Sequence, residues 1–267
     1  MMFFRCVTAR RLMIGLFSIT ALLTGAADSS SAQDNADDEL LGLITEWLTG
    51  SDVDLRTLAL EQVRTEAKGT AATQRFATLL PTLPADGQVG LLQALAERRD
   101  GAARPAVLDI LKSEHESVRV AALRCLGDLG TSEDFPQLVE RLTSGSEAER
   151  TMAAASLVRL PGDDVPKLFM DQIAASKEPK TQVKLIDIVV ERRAASVVPT
   201  LLELGVNSDL SVRKSALAAV GQLGSPEHIT NLVTALLATN AKEREWPEKA
   251  ILAIYNRHPE LAKQPIH

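Results

Sequence analysis

The sequence predicts an all-α fold, an α-solenoid (superhelix) of about seven helical hairpins, and three observations predict it. First, the chain repeats itself every 94 residues without a gap. Gln88-Val89 returns as Gln182-Val183, Glu97-Arg98-Arg99 as Glu191-Arg192-Arg193, and Leu129-Gly130 as Leu223-Gly224. Over 88–143 against 182–237, 20 of 56 positions are identical. Second, each block holds three copies of a shorter motif, apolar-Arg-x-x-Ala-apolar, whose Arg position falls at 56, 90, 119, 150, 184, 213 and 244. A unit of this size buries its apolar face only against its neighbours, so the repeat dictates a row. Third, 45% of residues are hydrophobic but only 3% are aromatic. The apolar volume then comes from Leu, Ala, Val and Ile, which suits helices packed on helices rather than sandwiches or barrels.

In chain order, the N-terminus reads as a targeting segment. Arg5, Arg10 and Arg11 precede the apolar run Leu12 to Leu23, and small residues follow. This is the order of a secretory signal peptide, and 12 apolar residues are short for a bilayer span. The expected boundaries are a signal peptide at 1–32, cleaved after Ala27 or Ala32, and a disordered acidic leader at 33–37. A repeat array at 38–257 and a C-terminal tail at 258–267 complete the chain. No membrane span remains after cleavage. The processed chain carries 26 basic residues and 35 or 34 acidic ones. That net negative charge repels phosphate backbones and excludes nucleic acid as a partner class. Cys6 leaves with the signal, so Cys125 is a lone thiol set among Ala122, Leu123 and Leu126, the place of a small buried filler.

Within the array, apolar residues recur at helical spacing in two stretches per unit. The expected helix pairs are 39–48 with 54–66, 70–80 with 85–99, 102–112 with 116–129, and 133–143 with 146–159. Three more follow at 163–175 with 179–193, 196–205 with 209–223, and 226–238 with 243–257. Pro105, Pro136, Pro166 and Pro199 fall in first turns, where the missing amide has no intrahelical partner anyway. Gly130 and Gly224 suit left-handed helix ends.

Paired helices of this length, with Asp or Glu between them and Arg just inside the second, resemble HEAT repeats, closest to the short HEAT-like type named after phycobilisome lyase subunits. The residues that carry the resemblance are Glu114, Val118-Arg119, Ala122-Leu123 and Leu126-Gly127, and again Asp209, Val212-Arg213, Ala216-Leu217 and Val220-Gly221. It covers about residues 38–257 and looks like arrays found in exported bacterial proteins. It implies a polar ladder between turns, in which Asp54, Arg56, Asp86, Glu114, Arg119, Glu147, Arg150, Asp209, Arg213 and Arg244 are structural. Gly90 and Lys184 stand at the Arg position of the second and fifth units, where the ladder should weaken.

The residues offer little chemistry. His115-Glu116 merits comparison with deoxyhypusine hydroxylases, HEAT-like enzymes that hold two irons with several His-Glu pairs. There is one such pair here, and its counterpart 94 residues on is Asp209-Leu210. No Gly-x-Ser-x-Gly elbow, Walker A loop or Gly-x-Gly-x-x-Gly turn appears. No catalytic, cofactor-binding or metal-binding residue and no cofactor is therefore assigned.

Seven residues are candidates for holding a partner. Glu97, Arg98, Arg99, Glu191, Arg192 and Arg193 recur at equal places in the two blocks. They read either as basic spots on one edge or as cations at a helix C-terminus. Trp246 reads as a cap on the open end of the stack or as an exposed anchor. The functional expectation is an exported, periplasmic or secreted, non-enzymatic scaffold that binds another protein along its second helices. The alternative is an accessory or chaperone-like subunit of an exported enzyme or of a chromophore or redox complex.

Overall fold

The computed structural model of the protein describes residues 28–65, 69–207 and 209–259. The expected signal peptide up to residue 27, Cys6 included, and the tail from residue 260 lie outside the described residues. The chain divides into two compact units, residues 1–40 and 41–267. In the first, α1 (Asp28–Thr49) opens at Asp28. The backbone of the leader at 33–37, expected to be without regular structure, is thus helical. Ala36 favours a helix, and α1 is already under way from Asp28 when it reaches these residues.

The second unit, which α1 enters at Leu41, contains α2 (Val53–Thr65), α3 (Thr70–Ala77), α4 (Ala85–Arg98), α5 (Arg104–Ile110) and α6 (Glu116–Leu129). There follow α7 (Phe135–Ser144), α8 (Glu147–Arg159), α9 (Val165–Ala175), α10 (Pro179–Glu191), α11 (Val198–Asn207), α12 (Leu210–Leu223), α13 (Ile229–Ala238) and α14 (Glu245–Arg257). Every expected pair is present, and the described residues form no strand. Pro105, Pro136, Pro166 and Pro199 each stand second in their helices. The second helices contact one another in sequence, α2 to α4 and so on to α14, and from α4 onward each packs on the first helix of its own hairpin.

Helix periodicity explains the core. On α6, Val118, Ala121, Ala122, Cys125, Leu126 and Leu129 form one buried stripe at three- and four-residue spacing. Cys125 is a buried free thiol whose pKa burial pushes up, as expected of an inert filler. Close helix approach depends on Gly127 and Gly221. A Cβ at Gly127 would lie 2.8 Å from Ser156 Cα on the next second helix, and one at Gly221 would lie 3.0 Å from Ala250 Cα.

The helix ends differ from expectation. Gly130 and Gly224 are extended, with φ near −69° and −68°, rather than left-handed. They are glycine for want of room, since a Cβ there would crowd Asp134 Oδ2 at 2.8 Å or Ile254 Cδ1 at 2.9 Å. The left-handed ends belong instead to Arg99 and Arg193, with φ of 53° and 56°, once in each block.

Candidate functional site

Charged side chains tie hairpin to hairpin, and three sets of them bear on the expected ladder and the paired arginines. In the first, an Arg at the motif position reaches an acid 30 residues on. Arg56 Nη1 donates to Asp86 Oδ2 at 3.0 Å, Arg119 Nε to Glu149 Oε1 at 2.8 Å, and Arg213 Nη2 to Glu243 Oε2 at 3.0 Å. The ladder is real, but its acids are Asp86, Glu149 and Glu243, not Asp54, Glu114, Glu147 or Asp209. The reason is local. Asp209 accepts from the Ser211 amide at the start of α12, while Arg119 Nη1 donates to the backbone carbonyl of Glu114 rather than to its carboxylate. Glu149 is 3% exposed, and the Arg119 guanidinium holds its carboxyl down to about 2. Arg150, whose counterpart 94 residues earlier pairs with Asp86, meets the Lys180 position instead, and its Nη1 donates to Gly145 O of its own hairpin at 2.6 Å. The break coincides with α8 and α10, the most open junction between successive second helices beyond α2.

The second set has one member. Arg104 makes a two-pronged bond to Asp134, with Nε to Oδ2 at 2.8 Å and Nη2 to Oδ1 at 2.9 Å. Asp134 is 1% exposed and also accepts from the Thr131 amide.

The third set corrects the reading of the paired arginines. Arg98 bends back to the preceding second helix, where Nη1 donates to Val63 O, while Nε donates to Thr73 Oγ1 of α3 and the guanidinium lies over the Phe76 ring of the same helix. Arg192 does the same 94 residues on, with Nη1 donating to Leu157 O at 2.7 Å and Leu160 O at 2.9 Å, over Phe169. Arg257 repeats the device on Gly221 O and Gly224 O. Each satisfies carbonyls that a helix C-terminus leaves without intrahelical partners. Burial lowers the pKa of Arg98 and Arg192. Neither is a free basic spot. They are cations at a helix C-terminus, but of the neighbouring hairpin rather than their own.

The other five candidates face outward or into grooves. Glu97 and Arg99 are exposed and line a groove between α4 and α6 with Arg124 and Asp128. Glu97 also pairs with Arg64 at 3.1 Å. In the second block Val158 occupies the place of Arg64, and Glu191 has no side-chain partner among the described residues. Arg193 is exposed. Trp246 is half-buried and lines a groove between α12 and α14.

What the candidates missed is the continuity of one surface. A groove of about 450 Å³ lies between α8 and α10, lined by Arg150, Ala154, Lys184, Asp187, Ile188 and Glu191. It shares Asp187 and Glu191 with a second, of about 260 Å³, between α10 and α12. That one shares Ala218 and Gln222 with a third, of about 300 Å³, between α12 and α14, where Trp246 stands. Burial pushes the Asp187 carboxyl up, and no charged neighbour offsets the shift. The signal was present in the sequence as Ala154, Ala218 and Ala253, small residues on α8, α12 and α14. Among the described residues no three His, Cys, Asp or Glu side chains come together as a metal site. His115 is the N-cap residue of α6.

Comparison with known proteins places this architecture. No curated protein matches the chain in sequence. Solved structures that resemble it include human deoxyhypusine hydroxylase, at 16% identity and a TM-score of 0.38, with 85% of this chain and 99% of that one covered. The CpcE–CpcF complex of phycocyanin lyase from Nostoc matches at 17% identity and a TM-score of 0.42, over 91% of both. The YibA protein of Escherichia coli matches at 15% identity and a TM-score of 0.43, over 84% of both. Likenesses this distant carry no argument about this chain. The sequence profile of HEAT repeats matches residues 74–159 and 166–251, well over half of the chain. Those two segments carry the stacked hairpins, the arginine ladder and the grooved face, and the chain belongs to the HEAT repeat family.

Proposed function

We propose that this protein is an exported, non-enzymatic scaffold that docks a segment of another protein along the face of its second helices. The observation that carries the reading is the run of three grooves joined through Asp187, Glu191, Ala218 and Gln222. A small-molecule site concentrates its polar groups in one concave pocket. This surface is a trough across four helices, with acids and bases interspersed and one half-buried tryptophan at its end, the form that suits an extended chain with a side-chain anchor. Export is supported by the order of charge, apolar run and small residues in the first 32 positions.

Among the described residues no helix is long and apolar enough to cross a membrane. The test places a photo-cross-linking residue at Gln222, in the trough, and at Thr200, on a first helix, in cells that express the chain. The expected result is one protein cross-linked from position 222 and not from 200, in the envelope or the medium, with the mature N-terminus at Asp28 or Gln33. Equal cross-linking from both positions, or a chain retained whole in the cytoplasm, overturns the reading.

A further inference from the structure

The groove between α4 and α6, of about 240 Å³, is the first-block copy of the groove between α10 and α12. Its Glu97, Arg124 and Asp128 fall 94 residues before Glu191, Ala218 and Gln222, which line the later one. Both therefore lie on the same face of the second helices. Arg124 holds the place of Ala218, the residue that joins two grooves of the trough.

The copies differ in charge. In the first block the acids of the groove are already taken by arginines of the flanking second helices. Glu97 lies 3.1 Å from Arg64 of α2, which also holds Glu61, and Asp128 lies 3.2 Å from Arg159 of α8. Arg99 and Arg124 also line this groove, both are exposed, and neither side chain has a hydrogen bond or ion pair among the described residues. The fold does not require these cations. Arg64, Arg124 and Arg159 have Val158, Ala218 and Ala253 as counterparts, and the hairpins of the second block stack without them.

Arg99 adds a second observation. Its backbone is left-handed, with φ of 53°, at a helix end where glycine is free of strain. The structural bonds at this end come from its neighbour, since Arg98 supplies the donors to Val63 and Thr73. A strained residue thus holds a guanidinium at the groove with no polar partner in its own chain.

We propose that Arg99 and Arg124 bind carboxylates of an acidic stretch in the partner polypeptide. This rests on the docking reading above and adds the partner's charge. Guanidinium forks match carboxylates in shape as well as sign. The chain as a whole has a net charge of −6 and repels such a stretch elsewhere, so the local surplus of arginine decides where it lands. The docked segment then carries acids over α4 and α6, and small or apolar side chains where Ala218 and Trp246 line the trough.

Fluorescence anisotropy of a fluorescein-labelled hexaglutamate peptide, titrated with the purified chain at about 100 mM salt, tests the site. Saturable binding is expected, weakened about fivefold by Arg99→Glu or Arg124→Glu and about tenfold or more by both. The charge-matched double variant K167E/K177E, at exposed positions on and after α9, should leave it within about twofold. Labelled hexalysine should not lose affinity for R99E/R124E. Arg99→Gly should weaken hexaglutamate binding about twofold or more while its denaturation midpoint stays the same or rises, because glycine relieves the left-handed residue. Far-ultraviolet circular dichroism shows that each variant stays folded. Absence of saturable hexaglutamate binding overturns the proposal, as does binding indifferent to R99E/R124E, equal loss in K167E/K177E, or a lowered midpoint in Arg99→Gly. Cross-linking from Gln222 is scored separately. Its failure with hexaglutamate binding intact strikes the trough alone, and the reverse strikes the arginine site alone.

Discussion

Arg119 and Glu149 belong to successive hairpins, yet Nε and Oε1 lie 2.8 Å apart, and the same Glu149 accepts from the Ser146 amide that opens α8. One buried carboxylate thus starts its own helix and fastens it to the one before. Its folded pKa of about 2 lies below the ordinary carboxylate value near 4.3. The associated stability is present in full above about pH 5 and is lost as pH falls toward 2, on the order of 2–3 kcal/mol. Urea unfolding followed from pH 7 to pH 3 should show the larger part of this loss. Glu149→Gln should be less stable at pH 7 by a similar amount and show a shallower acid limb.

Arg98 and Arg192 should matter for stability rather than for binding. Each caps carbonyls of the preceding hairpin and covers an aromatic ring. Taken as a cation at the end of its own helix, as one reading of the sequence has it, Arg98 would cost only about 0.3–1 kcal/mol on substitution by alanine. The structure predicts about 1–3 kcal/mol for either alanine substitution, because buried carbonyls lose a charged donor. Chemical denaturation midpoints decide between the two. Arg99→Ala, at an exposed position, should cost well under 1 kcal/mol.

The contrast between Arg98 and Arg99 shows where the sequence stops being legible. The fold was readable because each unit writes the same apolar stripe and the period of 94 aligns the copies. Leu123, Val118 and Leu217 announce their burial through spacing alone. A long side chain near a helix end is different. Arg98 can reach solvent or a carbonyl 35 residues earlier, and the choice depends on a neighbouring hairpin that local spacing does not describe. The same holds for Glu149, selected over Glu147 by the ladder, and for Gly130, whose glycine reflects Asp134 alongside it rather than its own dihedrals. Trp246 was legible as unusual, but not as lining a groove between α12 and α14.

Leu123 and Leu217 occupy equivalent sites, both essentially inaccessible to solvent. Leu→Ala at each should cost roughly 2–5 kcal/mol, with the two values close to each other because the surroundings repeat. Thermal unfolding of both variants provides the measure. Unequal losses would mean that the blocks pack differently despite their shared sequence.

Gly127 and Gly221 set the spacing of the second helices, and alanine at either should act against its usual benefit. In a helix interior, Gly→Ala ordinarily stabilises by about 0.5–1 kcal/mol. Here the new methyl would meet backbone, Ser156 Cα at 2.8 Å or Ala250 Cα at 3.0 Å, and the helices would have to separate. Net destabilisation of about 1–3 kcal/mol is expected, as for other overpacked sites, and is larger at Gly127, where the contact is closer. Denaturant titration of both variants would reveal the sign.

Glu97 and Glu191 are copies of one residue with different duties. Glu97 is held by Arg64 at 3.1 Å, so Glu97→Arg would set two cations together and lower stability by up to about 1 kcal/mol. Glu191 faces Val158 in place of that Arg and lines the trough beside Asp187, whose carboxyl burial already pushes up. Glu191 has no ion-pair partner among the described residues, and it favours a basic residue from whatever lies in the trough. Glu191→Arg should leave the unfolding midpoint within about 0.5 kcal/mol of the parent, since exposed substitutions rarely cost more. The same change should sharply reduce cross-linking from Gln222, because it places a repulsive charge in the groove. A variant that lost stability but kept its cross-links would assign Glu191 to the fold and remove it from the docking surface.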